Sequence, residues 1–319
     1  MLIKTLRAWE IPENVATSEQ DYLNRREFLK RAGIGAAALV TGMNRWAGTY
    51  TLDQSQVSEK IQSALPAPRN TAFTLDRPVT EEYAATHYNN FYEFTTDKPR
   101  VAERVDKFKI FPWQIEISGH VEKKLTLDLD DLVQRLPVEE RLYRHRCVEA
   151  WSMAVPWSGI PFKTFIELVQ PTAKAKYVRF VTFNRPEQAP GMKEQPWYPW
   201  PYYEGLRMDE AMNELTFLAI GLYGKPLPKQ NGAPVRMVLP WKYGYKSIKS
   251  IVKIEFVDQQ PKTFWNDLAP TEYSFLSNVN PKVPHPRWSQ AEERVIPSME
   301  RRPTLLFNGY EEFVASMYR

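Results

Sequence analysis

The residues best equipped for chemistry sit together at Arg144-His145-Arg146-Cys147-Val148-Glu149-Ala150-Trp151, around the one cysteine of the 319-residue chain. Read as an extended strand, Glu140 to Val148 would turn Tyr143, His145, Cys147 and Glu149 to one face. A thiol in a polar row, with Arg144 and Arg146 beside it, suits a thiolate able to ligate a soft metal. The competing reading is a small packing residue, because free cysteines are among the most buried side chains.

Two other stretches carry polar groups in quantity. His87-Tyr88-Asn89-Asn90-Phe91-Tyr92-Glu93-Phe94 has no helical or strand period and reads as a loop. It is either packed by its rings or a site loop rich in hydrogen-bonding groups. After the Asn231-Gly232 turn come Arg236 and the run Trp241-Lys242-Tyr243-Gly244-Tyr245-Lys246-Ser247-Ile248-Lys249. That run is either a solvated basic loop or an anion site on which Arg236, Ser247 and Lys249 converge. Gln195 to Tyr203, rich in Pro and Trp, is a long loop, either a rim of the site or merely exposed.

Several chemistries find no support. No His-Glu-x-x-His, Cys-x-x-Cys, Gly-x-Ser-x-Gly or P-loop pattern occurs. Gly33-Ile34-Gly35-Ala36-Ala37-Ala38 mimics a dinucleotide fingerprint, but it follows a basic segment instead of a strand. A formal charge of +4 without a Lys/Arg-dense run argues against nucleic acid. No apolar stretch approaches the roughly 20 residues of a membrane-spanning helix.

The elements that must position these groups are mostly strands: Trp113–Ile117, Tyr177–Phe183, Phe217–Tyr223, Val235–Leu239 and Ile251–Val257, the last alternating Val252, Ile254 and Phe256 with Lys253 and Glu255. Helical spacing marks Leu129, Leu132, Val133 and Leu136, then Phe162, Phe165, Ile166 and Val169, with a short helix over Arg207–Met212. Strands with short helices and no βαβ alternation give an α+β, strand-rich fold. Asn24-Arg25-Arg26-Glu27-Phe28-Leu29-Lys30, followed by a short Gly/Ala-rich segment, has the form of a twin-arginine export signal. The expected organisation is a signal over 1–47, a polar tether over 48–71, and one folded domain over 72–319. In an exported protein a lone cysteine is notable, and ligation would protect it.

Tyr143 to Met153, Asn89 to Phe94, Gln230 to Arg236, Trp241 to Lys246 and Pro303 to Tyr310 resemble the catalytic subunits of periplasmic protein-methionine-sulfoxide reductases. These belong to the molybdopterin enzymes of the sulfite oxidase fold, and the resemblance runs from the signal to the C-terminus. It implies the following. Cys147 is the protein thiolate on molybdenum, beside the two sulfurs of a single pterin without a dinucleotide. Asn89, Tyr92, Glu93, Thr182, Asn231, Arg236, Ser247, Ile248 and Lys249 are cofactor contacts, and the fold is the molybdopterin-domain type. The reaction is oxygen-atom transfer from methionine sulfoxide in oxidised periplasmic proteins. Electrons come from a haem-bearing membrane subunit, since no haem or iron–sulfur motif occurs here. Export uses the twin-arginine translocase, and the chain is expected to be a monomer. No catalytic residue is assigned; Glu149 is a candidate for proton delivery or a structural partner of Arg144 or Arg146. Sulfite oxidation on the same fold is the alternative, but those enzymes follow their cysteine with Ala-Gly-Asn-Arg-Arg. Here Val-Glu-Ala-Trp-Ser places an acid where a sulfite dianion would need cations.

Overall fold

The computed structural model describes residues 57–318; the expected signal over 1–47 and the start of the expected tether lie outside them. Strands dominate the described residues. In chain order they are β1 (Gln114–Gly119), β2 (Leu125–Asp128), β3 (Glu139–Arg146), β4 (Trp151–Pro161), β5 (Tyr177–Thr182) and β6 (Tyr203–Arg207). There follow β7 (Phe217–Leu222), β8 (Lys225–Pro226), β9 (Arg236–Val238), β10 (Ile251–Val257), β11 (Glu292–Val295) and β12 (Arg301–Pro303). One sheet runs β2-β1-β10-β5-β6; the other runs β12-β11-β4-β7-β8, with β3 beside β4 and β9 beside β7. Both mix parallel and antiparallel pairs, β1 with β10 and β11 with β4 being the parallel ones. The architecture is the strand-rich α+β expected from the sequence.

The helices are short: α1 (Glu59–Ser63), α2 (Glu82–His87), α3 (Leu129–Arg135) and α4 (Phe162–Val169) lead the series. Asp128 caps α3 by accepting the Asp130 N–H at 3.0 Å, and Leu129, Leu132 and Val133 are its buried stripe. Phe162, Phe165, Ile166 and Val169 do the same for α4, which ends in a left-handed Gln170 (φ 49°). In β10 the expected alternation holds for Ile254 and Phe256 but not Val252, which sits half-buried beside a register shift between Ile251 and Lys253.

Two expectations change. The body begins well before Ala72: Ser58 caps α1 through the Ile61 N–H at 3.1 Å, and Ile61 is buried. Asn70 and Pro68 exchange backbone hydrogen bonds of 2.8 Å with Glu140 of β3, so residues 57–71 lie against the domain. The expected strand over Glu140–Val148 ends at Arg146, because Cys147 opens a turn. Tyr143 leaves the polar row and packs on Phe73, Phe217 and Tyr310.

β4, missed in the sequence reading, is the strand that frames the site. It pairs with β3 from Arg146↔Ser152 to Glu139↔Gly159, and its first ten residues are all buried. A strand covered on both faces reads as one apolar run without alternation, and Pro156 hides it further. The two strands are locked at their turn end by Glu293 of β11. Its carboxylate meets Arg146 at 3.1 Å, Arg77 at 3.0 Å and the Ser152 hydroxyl at 2.9 Å, with Arg146 and Glu293 almost fully buried. Removing one partner strands a buried charge. Glu293→Ala is expected to lower the unfolding free energy by about 3 kcal/mol or more in urea titration. Glu292→Ala, which breaks only an exposed pair with Arg301, should cost less than about 1 kcal/mol.

Candidate active site at the cysteine turn

Four residues, Cys147 to Ala150, connect β3 to β4, and each of their carbonyls is held. Arg146 donates to the Cys147 carbonyl; Trp288 Nε1 and Gln290 Nε2 each donate to Val148 at 2.7 Å. Arg294 reaches the Glu149 carbonyl through Nη2 at 3.2 Å and the Ala150 carbonyl through its backbone N–H at 2.9 Å. The turn closes with the Cys147 N–H on the Trp151 carbonyl at 2.9 Å and a left-handed Ala150 (φ 60°). A thiol carried on so constrained a backbone is positioned before any ligand arrives.

Around Sγ the polar groups are close. The Glu149 N–H lies at 3.5 Å and Asn90 Nδ2 at 3.4 Å, both aimed as donors. Asn90 Nδ2 also donates to Glu149 Oε2 at 2.6 Å, and Lys98 Nζ meets Glu149 Oε1 at 3.1 Å. Burial works against the Glu149 charge, but the Asn90 hydrogen bond and Lys98 outweigh it and hold the carboxyl below its usual range. Burial, and then the Glu149 carboxylate, push the Cys147 thiol up to about 12. The adjacent arginines do not create a free thiolate as their proximity in sequence suggested. Arg144 turns to Asp76 at 3.0 Å and the carbonyls of Asn308 and Gly309, and Arg146 to Glu293. Neither partners Glu149; Lys98 does.

Cys147 opens into a cleft of about 330 Å³, a volume suited to a cofactor-sized ligand. Asn89, Tyr92, Glu93, Asn231, Arg236, Ile248 and Lys249 line it together with Cys147. Thr182 and Ser247 stand behind it. The Thr182 hydroxyl donates to the Lys249 and Ser250 carbonyls at 2.8 and 3.0 Å, and Ser247 Oγ accepts the Leu239 N–H at 3.1 Å. Both fix the segment carrying Lys249. The solvated reading of the basic loop fails for Lys242 and Lys246, which are buried on Glu210 and Glu204, each at 2.5 Å.

Arg236 and Lys249 differ from those paired lysines. The Arg236 guanidinium is bound by the Asn231, Met237 and Ser247 carbonyls at 2.8–3.2 Å, and no carboxylate lies within ion-pair distance of either cation among the described residues. Burial lowers both, Arg236 to about 9, and Lys249 is lowered further by Arg236 against the pull of Glu93. Glu93 is in turn raised by burial, with Lys249 opposing. His145 is held neutral, pushed down to about 3 by burial and then by these two cations. Gly244 passes so close that a Cβ there would lie 2.6 Å from His145 Cε1, so only glycine lets this loop close on the ring. Asn89 and Asn231 both give Nδ2 to the Ala85 carbonyl, at 3.4 and 3.0 Å, which leaves each Oδ1 unpartnered; Trp157 Nε1 is also unpartnered. Orphan polar atoms and uncompensated cations on one wall are costly unless an anionic, hydrogen-bonding ligand meets them.

The residues therefore fit an organic cofactor with a phosphate and soft donor atoms. No three of His, Cys, Asp and Glu gather as a metal cluster among the described residues, so a metal held at Cys147 would need ligands from outside the protein chain. Sequence reasoning missed Lys98, Trp288, Gln290, Glu293 and Arg294. Nothing local marks them, and the segment 288–294 lies about 140 positions beyond the turn it holds.

Residues 102–265 match the family model of the oxidoreductase molybdopterin-binding domain. The chain belongs to the molybdopterin-binding oxidoreductases, among the protein-methionine-sulfoxide reductase catalytic subunits. Over its full length it is 51% identical, across 328 aligned residues, to the protein-methionine-sulfoxide reductase catalytic subunit MsrP of Burkholderia mallei (strain ATCC 23344), 98% of which it covers. Among solved structures, the sulfane dehydrogenase SoxCD from Paracoccus pantotrophus is similar over 69% of this chain and 59% of its own, at 16% identity and a TM-score of 0.41.

The thiol's raised pKa has a direct readout. At pH 8 it holds on the order of a thousandfold less thiolate than an ordinary cysteine. Alkylation of cofactor-free chain by iodoacetamide should be correspondingly slow and climb steadily through pH 10, with no plateau near pH 8.5. A plateau there would mean an unperturbed thiol.

Proposed function

We propose that this chain reduces methionine sulfoxide in oxidised proteins, using molybdenum held by Cys147 and the two sulfurs of a single pterin. The observation that carries this is the cleft itself. A buried, pre-positioned soft ligand and two buried cations without a carboxylate at ion-pair distance line the same cleft. Arg236 and Lys249 would take the pterin phosphate, with Ile248, Asn231, Asn89, Tyr92 and Glu93 lining the same cleft and Thr182 and Ser247 bracing the Lys249 segment. When bound, the molybdenum centre supplies oxygen-atom transfer, the sulfoxide oxygen leaving as water with two electrons and two protons.

The chain's own groups do the rest. Asn90 and the Glu149 N–H donate towards Sγ and stabilise its charged form as a ligand. Tyr92, raised by burial and then by Glu149 and Cys147, keeps its hydroxyl proton at working pH and remains a donor at the reacting end. Glu149 Oε2 lies 3.6 Å from Sγ, and with its carboxyl held below the usual range it stays ionised there, paired with Lys98. The same carboxylate disfavours sulfite, a dianion, and admits a neutral sulfoxide. That observation sets sulfite oxidation second.

The relative's name, a catalytic subunit acting on protein methionine sulfoxide, supports a partner subunit and protein substrates; the sequence resemblance implies that this partner is a haem-bearing membrane electron donor, that the substrates are oxidised periplasmic proteins, and that export to the periplasm takes the twin-arginine route. Among the described residues no helix is long and apolar enough to cross a membrane.

Dye-coupled turnover with a methionine-sulfoxide peptide and with sulfite tests the reaction. Reduction of the peptide with sulfite turnover at least about a hundredfold lower is expected, and the reverse preference would overturn the assignment. Lys249→Met removes one phosphate partner. It should weaken cofactor retention at least about tenfold, read as molybdenum per chain after dialysis, while Lys225→Met, a surface pair with Glu82, leaves it unchanged.

A further inference from the structure

Met153, Met192 and Met237 are buried, at 5%, 4% and 0% exposure, whereas Met299 is 52% exposed. No other methionine among the described residues is exposed. Met299 stands at the tip of the β11–β12 hairpin. Its N–H donates to the Val295 carbonyl at 2.7 Å, and the Val295 N–H donates to Glu300 at 2.8 Å. Its backbone is left-handed (φ 60°), a conformation a methionine takes only when its surroundings impose it. The base is pinned by Ile296, 3% exposed, whose N–H meets the Ser152 carbonyl at 3.0 Å.

We propose that Met299 is an oxidation site of this protein, and that oxidised Met299 is repaired by a second copy of the same enzyme. The inference rests on the reading of the activity as methionine-sulfoxide reduction. An exposed thioether meets two-electron oxidants such as hydrogen peroxide: sulfur takes the distal oxygen, the O–O bond breaks and water leaves. Repair breaks the S–O bond, consumes the two electrons and two protons of the reductase reaction, and releases water.

Two features of the fold shape this step. Oxidation is tolerated, because the hairpin is fastened through Glu293, Arg294 and Ile296, and Met299 contributes nothing to the core. Oxidation at Met153, which lines the cleft, would instead put a polar group in the site. Repair is also intermolecular. β4 leaves the cysteine turn at Trp151, and β11 runs parallel to it with Arg294 opposite Trp151. Met299 is not among the residues that line the cleft, and with the base of its hairpin pinned at Ile296 it does not enter its own site.

The test is peptide mapping by mass spectrometry of holoenzyme treated with limiting hydrogen peroxide, then given a dithionite-reduced dye. An oxidised methionine peptide is present in the same tube. Met299 should gain one oxygen at least about tenfold ahead of Met153, Met192 and Met237. Its repair rate per chain should double when the enzyme concentration doubles. Isotope-labelled Cys147→Ser chain, oxidised first, should be repaired by unlabelled wild type; should that variant not fold, the concentration series decides alone. Met299→Leu should lose the early oxygen gain and still reduce the peptide. Persistent Met299 sulfoxide beside a reduced peptide overturns the inference alone. A repair rate independent of concentration overturns its intermolecular step. A peptide left oxidised overturns the reductase reading and this inference with it.

Discussion

A buried arginine–carboxylate pair organises the site. Arg146 closes β3 and Glu293 lies on β11, and with both side chains almost wholly out of water their charges must be met by each other and by fixed dipoles. They are. Arg146 also reaches Gln290, Thr304 and the Cys147 carbonyl, while Glu293 takes Arg77 and Ser152. Such a pair adds little net stability over apolar packing, but it admits only one arrangement of the strands it joins. That arrangement sets the turn that carries the thiol, and Trp288, Gln290 and Arg294 from the same downstream segment hold the remaining carbonyls.

From the turn the cleft divides electrically. Its inner wall holds Arg236, Lys249 and a neutral His145, which suits a phosphate-bearing cofactor; its outer lip holds Glu149 between Lys98 and Asn90. Arg236 is held by carbonyls, and neither it nor Lys249 has a carboxylate within ion-pair distance among the described residues, although Glu93 pulls on Lys249 from further away. At the lip the Glu149 carboxylate, paired with Lys98, lies 3.6 Å from Cys147 Sγ. One small cleft thus keeps positive charge without an ion-pair partner on its buried wall and an acid–base pair beside the thiol, and the buried charges are little screened.

Much of this was legible in the sequence, for reasons that differ by element. α4 and β10 were readable because each buries one face, so apolar residues recur at 3.6 or 2. Cys147 stood out by chemistry: one thiol in a polar setting. Arg236 and Lys249 were readable as one of two alternatives, an anion site, Asn89 and Asn231 gained their assignment through the resemblance of whole motifs, and the cleft places all four together. β4 was not readable, since a strand buried on both faces has no period. The strand expected to run through Cys147 stopped at Arg146, because the turn is imposed by residues 288–294 and no local signal announces it. Lys98, Lys242 and Lys246 show the same limit: a lysine's partner decides whether it is solvated, buried or functional, and partners are set by the fold.

The most direct test of the account is X-ray absorption at the molybdenum edge of wild type and Cys147→Ser, each purified from a host that makes the cofactor. Wild type should show molybdenum in a sulfur shell that includes the cysteine, and the variant should show one sulfur neighbour fewer or lose the metal. An identical sulfur shell in both proteins, or no molybdenum in matured wild type, would contradict the assignment of Cys147 and return it to a packing role.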